Sequence, residues 1–112
     1  MKKRWISLCV CILILASLLT GCGMNTRKIK FGAAGLGGTY RVFGDTFANL
    51  VTSKNKKYSM EVKTTAGSAA NLRLLSDGYI QMAIAQMDLT NDAYERTGIF
   101  ENEKKHGGYS AV

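Results

Sequence analysis

Between Asn25 and Gly98 the apolar residues switch repeatedly between a period of two and a period near 3.6, with glycine or short polar residues at each switch. This punctuation restricts the fold more than any compositional total. Ile29, Phe31 and Ala33 alternate with Lys30, Gly32 and Ala34, which predicts a strand from Lys28 to Ala34. Past Gly35-Leu36-Gly37-Gly38, Thr39 is placed to cap a helix in which Tyr40, Phe43, Phe47, Leu50 and Val51 recur at near-helical spacing and which ends near Ser53. Lys54-Asn55-Lys56-Lys57 then leads into a second strand, where Tyr58, Met60 and Val62 alternate with Ser59, Glu61 and Lys63. Ser68 is placed to cap a second helix with Ala69, Leu72 and Leu75 on one face and Gly78 just beyond its end. Met82-Ala83-Ile84-Ala85 reads as a strand buried on both faces, and Asp88 as the cap of a third helix running through Arg96 and stopped by Gly98. The order is β-α-β-α-β-α. Connections long enough to hold a helix cross over in the right-handed sense, so the strands are expected to lie parallel in an α/β fold.

An open parallel sheet binds ligands beyond the carboxyl ends of its strands, and three junctions fall there: Gly35 to Tyr40, Thr65 to Asn71, and Gln86 to Leu89. Glycines let the first loop turn tightly and approach a ligand, while the free N–H groups at the start of the Thr39 helix favour an anion such as a carboxylate. The same glycines also suit a tight turn with no ligand. A dinucleotide fingerprint is disfavoured, because Tyr40 stands where a small residue would permit close helix packing, and no Gly-Lys-Ser/Thr follows to make a phosphate-binding P-loop.

The overall 46% hydrophobic content averages two unlike segments. Lys2, Lys3 and Arg4 precede an apolar stretch from Trp5 to Leu19, too short for a comfortable membrane span but of the right length for an export signal. It runs into Leu19-Thr20-Gly21-Cys22, which resembles the bacterial lipobox. Residues 1–21 are therefore expected to be a removed signal peptide, Cys22 the lipid-modified first residue, and 22–27 a short linker. Cys9 and Cys11 fall in the removed part, so the mature chain has one cysteine and no internal disulfide. Beyond residue 21 there are twelve Lys and Arg against eight Asp and Glu, a spread-out +4 that gives no argument for nucleic acid.

Four ordered segments carry a family resemblance: Phe31 to Gly44 with its Gly-Gly-Thr-Tyr, Thr65 to Leu75, Met82 to Gln86, and Asp92-Ala93-Tyr94 with Gly98. Together they resemble the TAXI family of solute-binding subunits of tripartite ATP-independent periplasmic (TRAP) transporters. The resemblance implies a type II periplasmic-binding-protein fold, whose two α/β lobes close on a ligand, and it implies binding without catalysis, cofactor or metal. It implies a small carboxylate or amino acid such as glutamate or a dicarboxylate as ligand, and the transporter membrane subunits as partners. Carried over position by position, the first-lobe ligand surface comprises Gly37, Gly38, Thr39 and Tyr40, then Gly67, Ser68 and Asn71, then Gln86 and Asp88. Amides at Gly38 to Tyr40 and the Ser68 hydroxyl suit a carboxylate, and Gln86 offers both donor and acceptor. Asp88 either meets an amino group or serves only as a cap.

Other residues give less. His106 has no partner in the sequence, Arg73 reads as a solvated charge one turn into its helix, and Arg41 is open between clamp and surface. Lys54, Lys56 and Lys57 form a solvated turn or touch anionic headgroups near the anchor. Residues 28–112 are expected to be a truncated, incomplete first lobe, since TAXI subunits are roughly three times as long and this chain ends at Tyr109-Ser110-Ala111-Val112. Such a fragment buries a smaller share of its surface. Residues 23–112 alone are accordingly expected to be only marginally stable, and a sharp cooperative circular-dichroism melt above about 50 °C would overturn this. The alternative function is a short surface lipoprotein acting through protein contacts, as an interaction or antigenic module.

Overall fold

The computed structural model describes residues 1–3, 5, 6 and 25–112; most of the expected signal segment, Cys22 and the first half of the expected linker lie outside the described residues. Strand β1 (Arg27–Gly32) is followed by helix α1 (Thr39–Lys54), β2 (Tyr58–Lys63), α2 (Ser68–Ser76), β3 (Met82–Ala83) and α3 (Met87–Glu95), and a 3-10 turn covers Gly98–Phe100. The three strands form one parallel sheet in the order β2-β1-β3, with Arg27 opposite Tyr58 and Phe31 opposite both Val62 and Met82. Right-handed crossovers that run in opposite directions along a sheet, here from β1 out to β2 and from β2 back past β1 to β3, put their helices on opposite faces. The side chains agree with this. Phe31 and Val62 meet Gly44 of α1 on one face, and the backbone of Gly32 meets Ile80 and Asn71 on the other.

Gly44 allows α1 its close approach: a Cβ there would sit 3.1 Å from the Phe31 ring and 3.2 Å from Val62. Phe31 also packs edge-on against Phe47, 6.0 Å between centroids, and Phe43 stacks on Phe47 at 5.8 Å. The expected apolar stripe of α1 is only partly covered. Gly44 and Ala48 are buried, whereas Phe43 and Leu50 are more than half exposed, because a three-stranded sheet is too narrow to reach both sides of a 16-residue helix.

The element order follows the sequence pattern, with four local differences. Strand β1 ends at Gly32 rather than Ala34, although the Ala33 N–H still donates to the Lys63 carbonyl at 3.1 Å. Strand β3 spans two residues rather than four and is half buried instead of covered on both faces, since among the described residues only β1 pairs with it. Thr39, Ser68 and Asp88 lie inside the first turns of their helices, and the N-cap positions belong to Gly38, Gly67 and Gln86. Helix α3 ends at Glu95, where Arg96 takes the left-handed conformation (φ 61°).

The largest difference concerns residues 98–109. Phe100 is fully buried against Leu72 and Ala93, with Ala69, Ala85, Leu89 and Tyr109 around them. Arg73 is no solvated charge: its guanidinium makes a two-pronged ion pair with Glu103 and lies 4.8 Å from the Phe100 ring centroid. His106 does have partners. It is 3% exposed, its Nε2 lies 2.8 Å from Glu103 Oε2, and its ring meets Phe100 edge-on at 5.4 Å. Lys104 pairs with Asp77, and the Gly107 N–H donates to Ser76 Oγ, so the segment is fastened along α2.

Arg73, and after it His106, hold the Glu103 carboxyl down at about 2, against 4.5 for the free group. A carboxyl whose folded value is depressed contributes stability that is complete above its unfolded value and is lost as pH falls through the folded one. The urea midpoint is therefore expected to fall between pH 4.5 and 2. Glu103→Gln, measured over the same window, is expected to flatten that dependence, and an unchanged slope would show that other carboxyls dominate it.

Candidate functional site

Parallel strands bring all three strand-to-helix junctions to one edge of the sheet, where short hydrogen bonds knit them together. The Thr65 hydroxyl donates to the Ala33 carbonyl at 2.8 Å, and the Ile84 N–H donates to the Gly32 carbonyl at 3.1 Å. Asn71, fully buried, donates from Nδ2 to the carbonyls of Ala33 (2.7 Å), Ile84 (2.8 Å) and Gly32 (3.2 Å). One amide thus ties the ends of β1 and β3 to α2. Its Oδ1 is buried without a partner in the chain. Glycine is required beside it, because a Cβ on Gly32 would come within 2.7 Å of that oxygen and 2.6 Å of Ile80.

Ser68 is also buried, and its Oγ accepts the Gln86 N–H at 3.0 Å, joining the start of α2 to the start of α3. The remaining residues expected at the site are more accessible. Gly37 (φ 83°), Gly38 and Thr39 are exposed where the first loop enters α1, and Tyr40 is half buried behind them. Gly67 adopts φ 90°, ψ −162°, a backbone conformation that side chains resist, and this aims the chain into α2. Gln86 and Asp88 are exposed at the start of α3, where Asp88 Oδ1 accepts the Leu89 N–H at 2.8 Å. The set therefore divides: Asn71 and Ser68 brace the loops from within, while Gly37 to Tyr40, Gln86 and Asp88 face outward.

None of the N-cap residues Gly38, Gly67 and Gln86 gives a side-chain cap, and within α3 only the Leu89 N–H is taken by a side chain, Asp88 Oδ1. Three uncapped N-termini, each with free N–H groups and the positive end of a helix dipole, meet at one edge, and this favours a bound anion. Asp88 places one negative charge beside the third of them. Arg41 settles as a positioning residue: its Nε bonds both Asp45 oxygens (2.9 and 2.8 Å), and Nη1 donates to Thr64 Oγ1 at 2.9 Å, joining α1 to the loop after β2. The sequence reading missed this pair, which the four-residue spacing of Arg41 and Asp45 could have suggested, whereas nothing local pointed to Thr64.

The edge forms one open wall. The better enclosed spaces lie along β3, where a cavity of about 250 Å³ is lined by Leu72, Ala83, Ala85, Met87 and Tyr109 with the chain end. The Tyr109 hydroxyl is buried without a partner, and burial pushes its ionisation above the ordinary tyrosine range. Among the described residues no three His, Cys, Asp or Glu side chains are grouped to hold a metal ion, and no helix is long and apolar enough to cross a membrane.

The model of the NMT1-like family, a periplasmic-binding-protein-like family, matches residues 31–112, a span that contains every junction described above. That family suggests solute binding outside the cytoplasm and is generally non-enzymatic. With its parallel sheet, its knitted loops and this match, the chain belongs to the NMT1-like family.

Proposed function

We propose that this chain supplies the first lobe of an extracytoplasmic solute-binding lipoprotein serving a TRAP transporter of the TAXI type, anchored through Cys22 and holding a small carboxylate such as glutamate or a dicarboxylate. The observation that carries the reading is the meeting of three uncapped helix N-termini at one sheet edge. The first loop and the start of α1 receive the carboxylate through backbone amides, Tyr40 covers it, and Gln86 with Asp88 reads the rest of the ligand. An open wall excludes little water, so tight binding needs an opposing lobe.

Titration calorimetry with glutamate and short dicarboxylates tests this on the chain extended by a second α/β lobe. Heat of binding is expected, and its absence with every carboxylate tried would overturn the reading. Thr39→Glu sharpens the test, because a carboxylate in the first turn suits the α1 dipole yet repels an anionic ligand. Affinity is expected to fall at least about tenfold, as like charges brought together cost more than ~1.4 kcal/mol, with the melting temperature unchanged or slightly raised.

A further inference from the structure

At the end of the sheet opposite the ligand edge, Arg27 and Lys28 of β1 lie beside Lys54, Lys56 and Lys57 at the α1–β2 turn, and all five are exposed. The turn is held to the strand by backbone: the Arg27 N–H donates to the Lys57 carbonyl at 2.8 Å, Thr26 Oγ1 reaches the Lys56 carbonyl at 3.5 Å, and the Lys57 N–H donates to Asn55 Oδ1 at 2.8 Å. The cations are thus gathered by the fold. Among the described residues none of the five forms a salt bridge; Glu61 on β2 is paired with Lys63 at 2.6 Å and feels the Lys28 charge only more weakly. Lys54 suits the C-terminal end of the α1 dipole, but that accounts for one charge of the five.

We propose that this basic end docks on the anionic lipid headgroups of the membrane that carries the protein, an inference that rests on the lipid anchor at Cys22. The tether supplies the argument for the occupant. Only four residues lie between Cys22 and Arg27, and over these five steps, at about 3.6 Å each, Arg27 stays within about 18 Å of the anchored residue. Anchoring therefore keeps this cluster of exposed cations at high local concentration beside a surface of opposite charge. Six-residue strands then hold the ligand edge about 20 Å away, facing off the bilayer.

The test uses the full chain, purified from bacterial membranes and reconstituted into vesicles of phosphatidylcholine with or without phosphatidylglycerol. Acetylation of each lysine is followed by mass spectrometry. Lys28, Lys54, Lys56 and Lys57 are expected to react about fivefold more slowly in the anionic vesicles, while Lys63 at the far end of β2 reacts equally in both. Raising salt to about 0.5 M, where screening acts within a few ångströms, is expected to abolish the difference. Replacing Lys56 and Lys57 together, by Lys56→Gln and Lys57→Gln, is expected to reduce protection at Lys28 without changing the melting temperature, because Lys54 at the end of α1 is kept. Equal reactivity of the four lysines in both vesicle types overturns the inference, whatever the anchor. The mass of the N-terminal peptide from the same sample reports the anchor separately: an unmodified Cys22 with protection intact overturns the anchor alone.

Discussion

Asn71→Asp is expected to leave the full chain unfolded at neutral pH. The Asn71 amide faces three backbone carbonyls at 2.7 to 3.2 Å inside a fully buried site. An ionised carboxylate has only acceptors, so the substitution turns every one of these attractions into a repulsion and strands a charge away from water. A buried charge without a partner costs about 3–5 kcal/mol, comparable to the whole stability of a domain this small. Asn71→Leu, which removes the donors without adding charge, is expected to cost about 2–3 kcal/mol by leaving the Ile84 carbonyl without its partner. Far-ultraviolet circular dichroism and urea titration at pH 7 separate the three proteins. An aspartate variant within about 1 kcal/mol of the parent would show that the junctions are held by something other than this amide.

Phe100→Ala is expected to cost about 3–5 kcal/mol, the range for truncating a buried phenylalanine. The ring is fully buried on Leu72 and Ala93 and also backs the Arg73 guanidinium and the His106 ring. Its loss opens a cavity between α2 and α3 and loosens the segment that carries Glu103. Hydrogen exchange is the informative readout, with amides of α2, α3 and residues 98–107 expected to lose protection together. Phe100→Leu, which fills most of the volume, is expected to recover about half of the lost stability. If α2 and α3 keep full protection in the alanine variant, Phe100 is a satellite rather than part of the core.

These two residues mark the boundary of what a linear reading can reach. Between residues 25 and 112, period and punctuation located the three strands and the three α-helices, because strand and helix register is a local property written every two or three to four residues. The family resemblance, carried over by position, put Asn71 on the ligand surface, and an asparagine in the first turns of a helix beside a glycine loop has the chemistry for either role. Its burial depends on Gly32, 39 residues earlier, which leaves room for the amide. Phe100 and His106 sit in a stretch with no periodicity, so nothing local distinguished them from a solvated tail. Arg73 was read as exposed because its partner Glu103 is 30 residues away.

The family match reaches from Phe31 to the last residue, so it includes the segment with the weakest local signal. The ligand edge was inferable because parallel topology forces strand ends together once the element order is known. Which residues on that edge turn outward was not, because it depends on how α2 and α3 pack.

By itself the sequence determined the order of elements, the parallel sense of the sheet and the edge at which its loops meet, since each follows from short-range periodicity and the handedness of crossovers. Only the tertiary structure decided that Asn71 and Ser68 brace the loops, that residues 98–107 are folded onto α2, and that five cations from two distant segments lie at one end of the sheet. Burial and charge clustering are sums over neighbours far apart in the chain, and no local pattern encodes them.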